Sequence, residues 1–441
     1  MFRKKANKIH PSLTKMREAW EALERPGFDI PTVLVGGTNG KGSTVEFLAS
    51  LIRSDGSYRA GIFTSPHVTH FRERIRTTHL KIDDIRLSEV WKDIHSALGE
   101  KLYNELSFFE VTTLMGLVLF RHAETDFNIL EVGLGGRWDA TNVVDPCISV
   151  ITSIGYDHQG FLGDTLLEIG REKLGIAREG RPLFVGHSSD FEHDPCWDQF
   201  VEEIRATRAQ AFFYDYDFDC DNERIVLPTE TTVQIPAFVR RQPSFLQHNF
   251  ALACAVYDDL QRTRLPLLKS LDDVLHDTKA LQKPPGRYEK LEVENRKVIL
   301  DVCHNTSGAR ALVQALKDEG VAGRIPAFVC ILKDKDWQEM LTIFKGFFDP
   351  LVLFRVKSER SWTAQDMPRI EECMDFYDSF EEAWNGLHKG DAERREPYVV
   401  CGSIAAMGEV FEFLESKSCR EGWSSATLDS HRPKGIQPGP L

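Results

Sequence analysis

The segment Val33 to Thr44, VLVGGTNGKGST, leaves an apolar strand through a glycine-rich turn carrying one lysine and opens a helix on hydroxyls. Glycines let backbone N–H groups come close to phosphate oxygens, and a helix N-terminus adds roughly half a positive charge there. Thr38, Asn39, Gly40, Lys41, Gly42, Ser43 and Thr44 are therefore candidates to cradle a nucleoside triphosphate. Lys41 would reach the β- and γ-phosphates, and Ser43 or Thr44 would hold Mg2+. The spacing departs from the strict phosphate-loop pattern. Val35 stands where that pattern has its first glycine, and Gly42 rather than a hydroxyl follows Lys41.

Other residues with chemical potential lie at strand ends. Glu131 closes the apolar run Ile129 to Glu131, where a carboxylate needs a partner or a metal. Ser65 sits in a Thr-Ser-Pro turn and His158 in Tyr-Asp-His-Gln after another strand. The carboxyl edge of an open α/β sheet is where ligands bind, and hard oxygen donors with several waters suit Mg2+. Taken singly, Ser65 is a local cap and His158 a structural histidine. Asp301 ends the apolar strand Val298 to Leu300, beside His304 and Asn305 and after Arg287; alone, it would cap the next helix. Lys173, in Arg-Glu-Lys-Leu-Gly-Ile, reads by itself as an exposed helix lysine. Phe109 is an aromatic in an apolar helix, able to pack in the core or to stack on a flat ligand. Arg72, Arg74 and Arg76 form a basic strip, either a solvated face or an attraction for carboxylates.

These residues need a sheet to bring them together, and the pattern supplies one. Strands at Thr32 to Val35, Tyr58 to Phe63, Phe127 to Val132, Cys147 to Ile151 and Pro182 to Val185 alternate with helices, which predicts a parallel, helix-covered sheet. Residues 211 to 235 predict hairpins in a small antiparallel accessory sheet. A helix is expected from about His248 to Arg262. Pro284, Pro285 and Gly286 mark a linker, and a second alternating unit follows with strands near Val298 to Asp301, Ala327 to Leu332, Leu351 to Val356 and Tyr398 to Cys401. The fold expected is α/β: a phosphate-loop, parallel-sheet ATPase domain over 1–283, a Rossmann-like α/β domain over 284–418 and a disordered tail over 419–441.

Composition limits the rest. The 441 residues carry 54 Lys and Arg against 67 Asp and Glu, a net charge of −13, which argues against nucleic acid as a partner. Nine scattered cysteines without a CxxC pair fit a reducing compartment and no structural zinc. No apolar run is long enough to cross a bilayer, and the basic N-terminal stretch lacks an apolar core, so neither membrane association nor a secretory signal is expected. The chain is expected to be a cytoplasmic monomer.

Several motifs together resemble one family. GTNGKGS, FTSPHVTHFRERI (Phe63 to Ile75), EVGLGGRWDATN (Glu131 to Asn142) and ITSIGYDHQGFLGDTLLEIGREKLGI (Ile151 to Ile176) are similar to the signatures of folylpolyglutamate and dihydrofolate synthases, within the Mur ligase superfamily. PGRYEKLE, LDVCHN, LKDKDW and CGS follow in family order, so the resemblance covers about residues 10 to 416. It implies ATP and Mg2+ as cofactors. The phosphate-loop hydroxyl and Glu131 would serve the ATP-bound Mg2+, and Ser65, Glu131 and His158 a second ion. Lys173 would be carbamylated by CO2, exchanging a cation for a carboxylate-like group near the metals. Arg287 and His304 would lie near the ATP phosphates and Asp301 near the ribose or phosphate; Asn249 is the one match to the family's His-Gln-x-x-Asn, with Phe245 and Leu246 replacing the first two. Phe109 would stack on a pterin, Asp139 would hydrogen-bond it, and Leu13 and Arg72 would face the substrate. Thr306 stands where the family has proline after His-Asn, and Ser12 replaces a glycine before Leu13.

The function implied is an ATP-dependent amide ligase that adds L-glutamate to dihydropteroate, to reduced folates, or to both, through an acyl phosphate. Two alternatives share parts of this pattern. A peptidoglycan Mur-type ligase would share the fold but spell its loop GTNGKT. A non-catalytic nucleotide-binding homologue would not need Lys41, Glu131, His158 and Lys173 together.

Overall fold

The computed structural model describes residues 12–276, 281–363, 375–388 and 396–417. The expected tail over 419–441 lies outside them. The chain divides into two compact units, 1–281 with 305–311, and 282–304 with 312–441.

The first unit is built on a seven-stranded sheet. In chain order its strands are β1 (Thr32–Gly36), β2 (Ala60–Phe63), β3 (Ile75–Thr77), β4 (Phe127–Glu131), β5 (Ile148–Ile151), β6 (Pro182–Val185) and β7 (Gln210–Phe213), arranged β3-β2-β4-β1-β5-β6-β7. All neighbours pair in parallel except β2 with β3. Every residue of β1, β2, β4, β5 and β6 is buried, which is why these strands read as mostly apolar runs. The chain runs from β1 to β2 on one side and from the adjacent β5 to β6 on the other, so the turn after β1 occupies the switch point of the sheet.

Six helices matter for the site: α1 (Thr14–Ala22), α2 (Lys41–Asp55), α3 (Asp84–Glu105), α4 (Phe108–His122), α5 (Gln159–Leu162) and α6 (Leu166–Leu174). Helix α4 is buried continuously from Glu110 to Phe120, the mark of a helix sunk in the core. Its start is fixed by a reciprocal cap: Glu110 N–H donates to Ser107 Oγ at 3.2 Å, and Ser107 N–H donates to Glu110 Oε2 at 2.7 Å. Thr165 and Glu168 cap α6 in the same way. Shortening a fully buried side chain such as Leu114 to alanine in this core would cost about 2–5 kcal/mol.

The expected accessory sheet is smaller than the sequence suggested. Residues 210–213 form β7 and pair in parallel with β6, because their side chains continue the main sheet. Only β8 (Asp219–Cys220), β9 (Arg224–Val226) and β10 (Thr232–Gln234) make the antiparallel sheet. The helix expected from His248 starts earlier and runs Ser244–Thr263.

The second unit holds a six-stranded sheet of β11 (Glu289–Val293), β12 (Arg296–Asp301), β13 (Ile325–Val329), β14 (Phe348–Phe354), β15 (Phe376–Tyr377) and β16 (Tyr398–Cys401), in the order β11-β12-β16-β13-β14-β15. Its pairs are parallel except β11 with β12. That pair is a hairpin: Val293 faces Arg296, and the two residues between, Glu294 and Asn295, both have positive φ. Strand β11 is not expected from the sequence, because it follows directly on the Pro-Pro-Gly cluster.

Among the described residues every cysteine is a free thiol, and no helix is long and apolar enough to cross a membrane.

Candidate active site

The turn after β1 is shaped by close approach. Gly37 has φ +139 and Gly40 φ +87. A Cβ on Gly37 would lie 2.0 Å from Thr152 Oγ1, and one on Gly40 would lie 2.4 Å from Asn249 Oδ1. No side chain other than hydrogen fits either place. The loop is then tied to the residues after β5. Thr38 N–H donates to Ser153 O at 2.8 Å, Thr38 Oγ1 to Gly155 O at 3.0 Å, Asn39 N–H to Ser153 Oγ at 3.1 Å, and Thr152 Oγ1 to Asn39 O at 2.6 Å. Lys41 bends back over the loop, donating from Nζ to Gly37 O at 2.9 Å and Thr38 O at 3.0 Å. Ser43 and Thr44 are buried in the first turn of α2. Thr44 Oγ1 and Asn249 Oδ1 are 3.5 Å apart, so the one retained residue of the His-Gln-x-x-Asn signature does stand beside the phosphate loop. On its outer side, Asn39 exchanges amide hydrogen bonds with Asn305 at 3.2 and 3.0 Å and donates to Ser307 Oγ at 2.8 Å.

Glu131 lies one strand away, buried at the end of β4. Its Oε2 accepts from Ser65 N–H at 3.0 Å, and a Cβ on Gly42 would be 3.6 Å from both carboxylate oxygens. The structure therefore joins Glu131, Ser65 and the start of α2. The donor set there is hard oxygen, two hydroxyls and a carboxylate, which fits Mg2+ rather than a softer ion. His158 is exposed on the loop after β5 with φ +53, its Nε2 3.8 Å from Asp157 Oδ1. It occupies the N-cap position of the short α5.

Lys173 is not the exposed lysine its sequence suggests. It is buried, 2% exposed, on the face of α6 that also buries Leu166, Ile169 and Gly170. Burial, helped by the nearby Lys41 cation and opposed by Asp157, brings its pKa down to about 7. An amine there gives up its proton far more readily than an exposed lysine does, and a neutral amine is a nucleophile.

The arginine strip is not a solvated face either. Arg76 Nη2 is 2.7 Å from Glu46 Oε2, and Arg53 approaches the other carboxylate oxygen at 3.6 Å. Arg74 is buried, donates from Nε to His67 Nδ1 at 2.8 Å, and is lowered to about 10 by burial against the pull of Glu131 and Glu73. Arg72 remains partly exposed, 3.9 Å from Asp84.

The residues expected near substrate are placed differently from one another. The Phe109 ring packs against the Gly133 backbone, where a Cβ would be 2.5 Å from its Cζ, and lies 5.9 Å from the Phe63 ring. Asp139 is buried and turned onto its own loop, accepting from Thr141 N–H at 2.9 Å, Thr141 Oγ1 at 2.5 Å and Leu134 N–H at 2.9 Å. Burial raises its pKa against those bonds. Leu13 is a core residue packed in the same cluster as Trp20 and Leu106.

In the second unit Asp301 is buried at the end of β12, accepting from Tyr288 N–H at 2.9 Å and Cys303 N–H at 2.8 Å. Burial raises its pKa, and the Arg287 cation opposes that. His304 Nδ1 lies 3.1 Å from Val302 O, which requires the proton on Nδ1.

Residues 286–404 match the family model for the Mur ligase glutamate ligase domain. The dihydrofolate synthase/folylpolyglutamate synthase of Escherichia coli is 31% identical over 385 residues, 87% of this chain and 86% of the relative. The chain belongs to the dihydrofolate synthase/folylpolyglutamate synthase family. The Bacillus subtilis member is 30% identical, over 85% of each chain. Among solved structures, the bifunctional enzyme of Yersinia pestis is 30% identical with a TM-score of 0.78, covering 94% of this chain and 96% of that one. The Escherichia coli FolC complex with DHPP and ADP is 29% identical with a TM-score of 0.79, covering 94% and 95%. A further bifunctional synthase, 30% identical with a TM-score of 0.78 over 92% of this chain and 95% of that one, was solved with Mn, AMPPNP and L-glutamate bound. For a member of this dihydrofolate synthase/folylpolyglutamate synthase family, sequence reading passed over Thr152, Ser153 and Asp157. The first two are the scaffold of the phosphate loop, and the third is an anion whose charge acts on Lys173. Their position directly after a buried parallel strand was the signal available.

Proposed function

We propose that this protein is an ATP-dependent ligase that forms an amide between L-glutamate and the carboxylate of dihydropteroate, of a reduced folate, or of both. The observation that carries this reading is the juxtaposition, in a chain of this family, of a lysine-bearing phosphate loop with the buried Glu131–Ser65 pair. Thr38 to Thr44 and Asn249 hold the nucleotide, and Lys41 exchanges its loop carbonyls for phosphate oxygens. Ser43, Ser65, Glu131 and His158 hold Mg2+, whose bound charge offsets that of the phosphates. An acceptor carboxylate oxygen attacks the γ-phosphorus, ADP leaves and an acyl phosphate forms; Lys41 stabilises the charge that builds on the transferring group. The glutamate amine then attacks the acyl carbon, and inorganic phosphate departs with the carbon–oxygen electron pair. Backbone N–H groups of the loop and neighbouring cations stabilise the oxyanion.

The remaining assignments rest on the same reading. The neutral Lys173 amine takes up CO2, releases a proton and becomes an anionic carbamate beside the metal site. Arg287, Asp301 and His304 act on the nucleotide; we place an ATP-binding domain at 1–283 and a glutamate-ligase domain at 284–418, and the match over 286–404 supports that division. Phe109 stacks on the pterin, with Leu13, Arg72 and Asp139 shaping the pocket around it. A net charge of −13, and cysteines that are free thiols among the described residues, fit a cytoplasmic protein without nucleic-acid partners, which we read as a monomer. Phosphate release with ATP, Mg2+ and glutamate tests the whole, comparing dihydropteroate, tetrahydrofolate and a UDP-muramyl peptide. Turnover with either pterin compound is expected, and turnover with the muramyl peptide alone would overturn the reading.

A further inference from the structure

Three side chains with no part in the chemistry above meet at the β6–β7 end of the same sheet. His187 follows β6, Asp215 follows β7, and Glu192 ends the single helical turn Ser189–Glu192. His187 Nδ1 is 2.9 Å from Asp215 Oδ2 and 3.5 Å from Glu192 Oε2, and one ligand atom from each residue lies within 4.8 Å of the others. A cation bound through bonds of ~2.0–2.2 Å keeps its ligands roughly 3.0–3.6 Å apart, so this arrangement needs little adjustment.

Each member is held by the chain. Glu192 Oε1 accepts from Ser188 N–H at 2.7 Å, which turns Oε2 toward His187. Asp215 has φ +68, and its N–H donates to Phe218 O at 2.9 Å. The His187 ring is seated between Tyr214, at 5.6 Å, and the edge of His248, at 4.9 Å. Charge is left over: two carboxylates face one imidazole, and a proton on His187 would cancel only one of them. A dication would cancel both. The side chains are 31%, 18% and 47% exposed, so an ion can enter from solvent.

We propose that His187, Glu192 and Asp215 form a second cation site, for a first-row transition-metal dication of the Zn2+ type, separate from the Mg2+ donors Ser43, Ser65 and Glu131. One imidazole with two carboxylates is a donor set of intermediate softness, suited to Zn2+, whereas an all-oxygen set suits Mg2+. The bound ion ties the end of β6 to the turn after β7. Ser188, next to His187, accepts from Ile154 N–H at 2.9 Å, so the tie extends to the loop that carries Ser153 and supports the phosphate loop.

The test is a zinc titration of the metal-free full chain against a chromophoric chelator, with millimolar Mg2+ present to fill oxygen sites. One Zn2+ per chain is expected. His187→Gln and Asp215→Asn, each checked for native circular dichroism, should weaken it by at least ~10-fold. Co2+ in place of Zn2+ should give a visible absorption band that His187→Gln removes. No binding in the presence of Mg2+, or equal binding by wild type and both variants, would overturn the site.

Discussion

Replacing Lys173 by methionine separates the cost of burying an amine from its use. Its pKa of about 7, against 10.5 for an exposed lysine, means the folded state releases the proton first. Below about pH 7 both folded and unfolded chains hold the proton, and the folded chain bears the full penalty. As pH rises from about 7 to 10.5, only the unfolded chain keeps its proton and the penalty fades. At about 1.4 kcal/mol per pH unit that penalty approaches 5 kcal/mol, an upper bound since water can reach the amine when the site opens. In CO2-free buffer Lys173→Met should therefore unfold at a higher temperature than wild type at pH 6, and the gap should close by pH 10. The same variant should lose turnover by at least ~10², because no anion then supports the metals. Lys173→Glu should keep more activity than Lys173→Met. Bicarbonate should stabilise wild type but neither variant, with a carbamate carbon signal in NMR of 13C-labelled samples. A methionine variant of unchanged stability at pH 6 and normal turnover would refute both the burial argument and the carbamate.

Lys41→Ala should lower kcat by at least ~10² with an unchanged circular dichroism spectrum, since the charge it removes acts on phosphoryl transfer. Gly37→Ala should abolish nucleotide binding measured by calorimetry, because its Cβ would collide with Thr152 at a φ that alanine rarely adopts. Arg76→Met, which strands the buried Glu46, should destabilise the chain by about 3–5 kcal/mol in denaturant titration, and adding Glu46→Gln should recover most of the loss.

The sheet and its phosphate loop were legible because mostly apolar strands, the first ending in a glycine-rich turn, leave few alternatives. Glu131 beside Ser65 followed from motif order and strand ends, whereas Asn249, a match to a signature expected on the adenine side, stands by Thr44 of the loop. What escaped was set by tertiary packing. Lys173 falls on the apolar stripe of α6, at positions spaced like Leu166, Ile169 and Gly170, but its charge masked that spacing. Arg74 and Arg76 looked like a surface strip because nothing in their spacing shows that the turn folds Arg74 onto His67, or that Arg76 reaches Glu46 thirty residues earlier. Asp139 offered a free carboxylate in sequence and spends it on capping its own turn. The run Ala211 to Phe213 carried no sign of whether it would extend the parallel sheet or begin the small one.

The sheet order also bears on synthesis. β1 emerges early from the ribosome, yet its neighbours β4 and β5 begin at Phe127 and Ile148, so roughly a hundred residues must follow before the central strand has a partner. Until then Val33, Leu34 and Val35 are an unpaired apolar strand, a target for chaperones and for self-association. The last piece comes later still: residues 305–311 belong to the first unit and supply Asn305 and Ser307 to Asn39. A chain cut after Leu281 would fold its sheet but leave the rim of the phosphate loop unfinished, so the first unit should not be expressed alone without that segment.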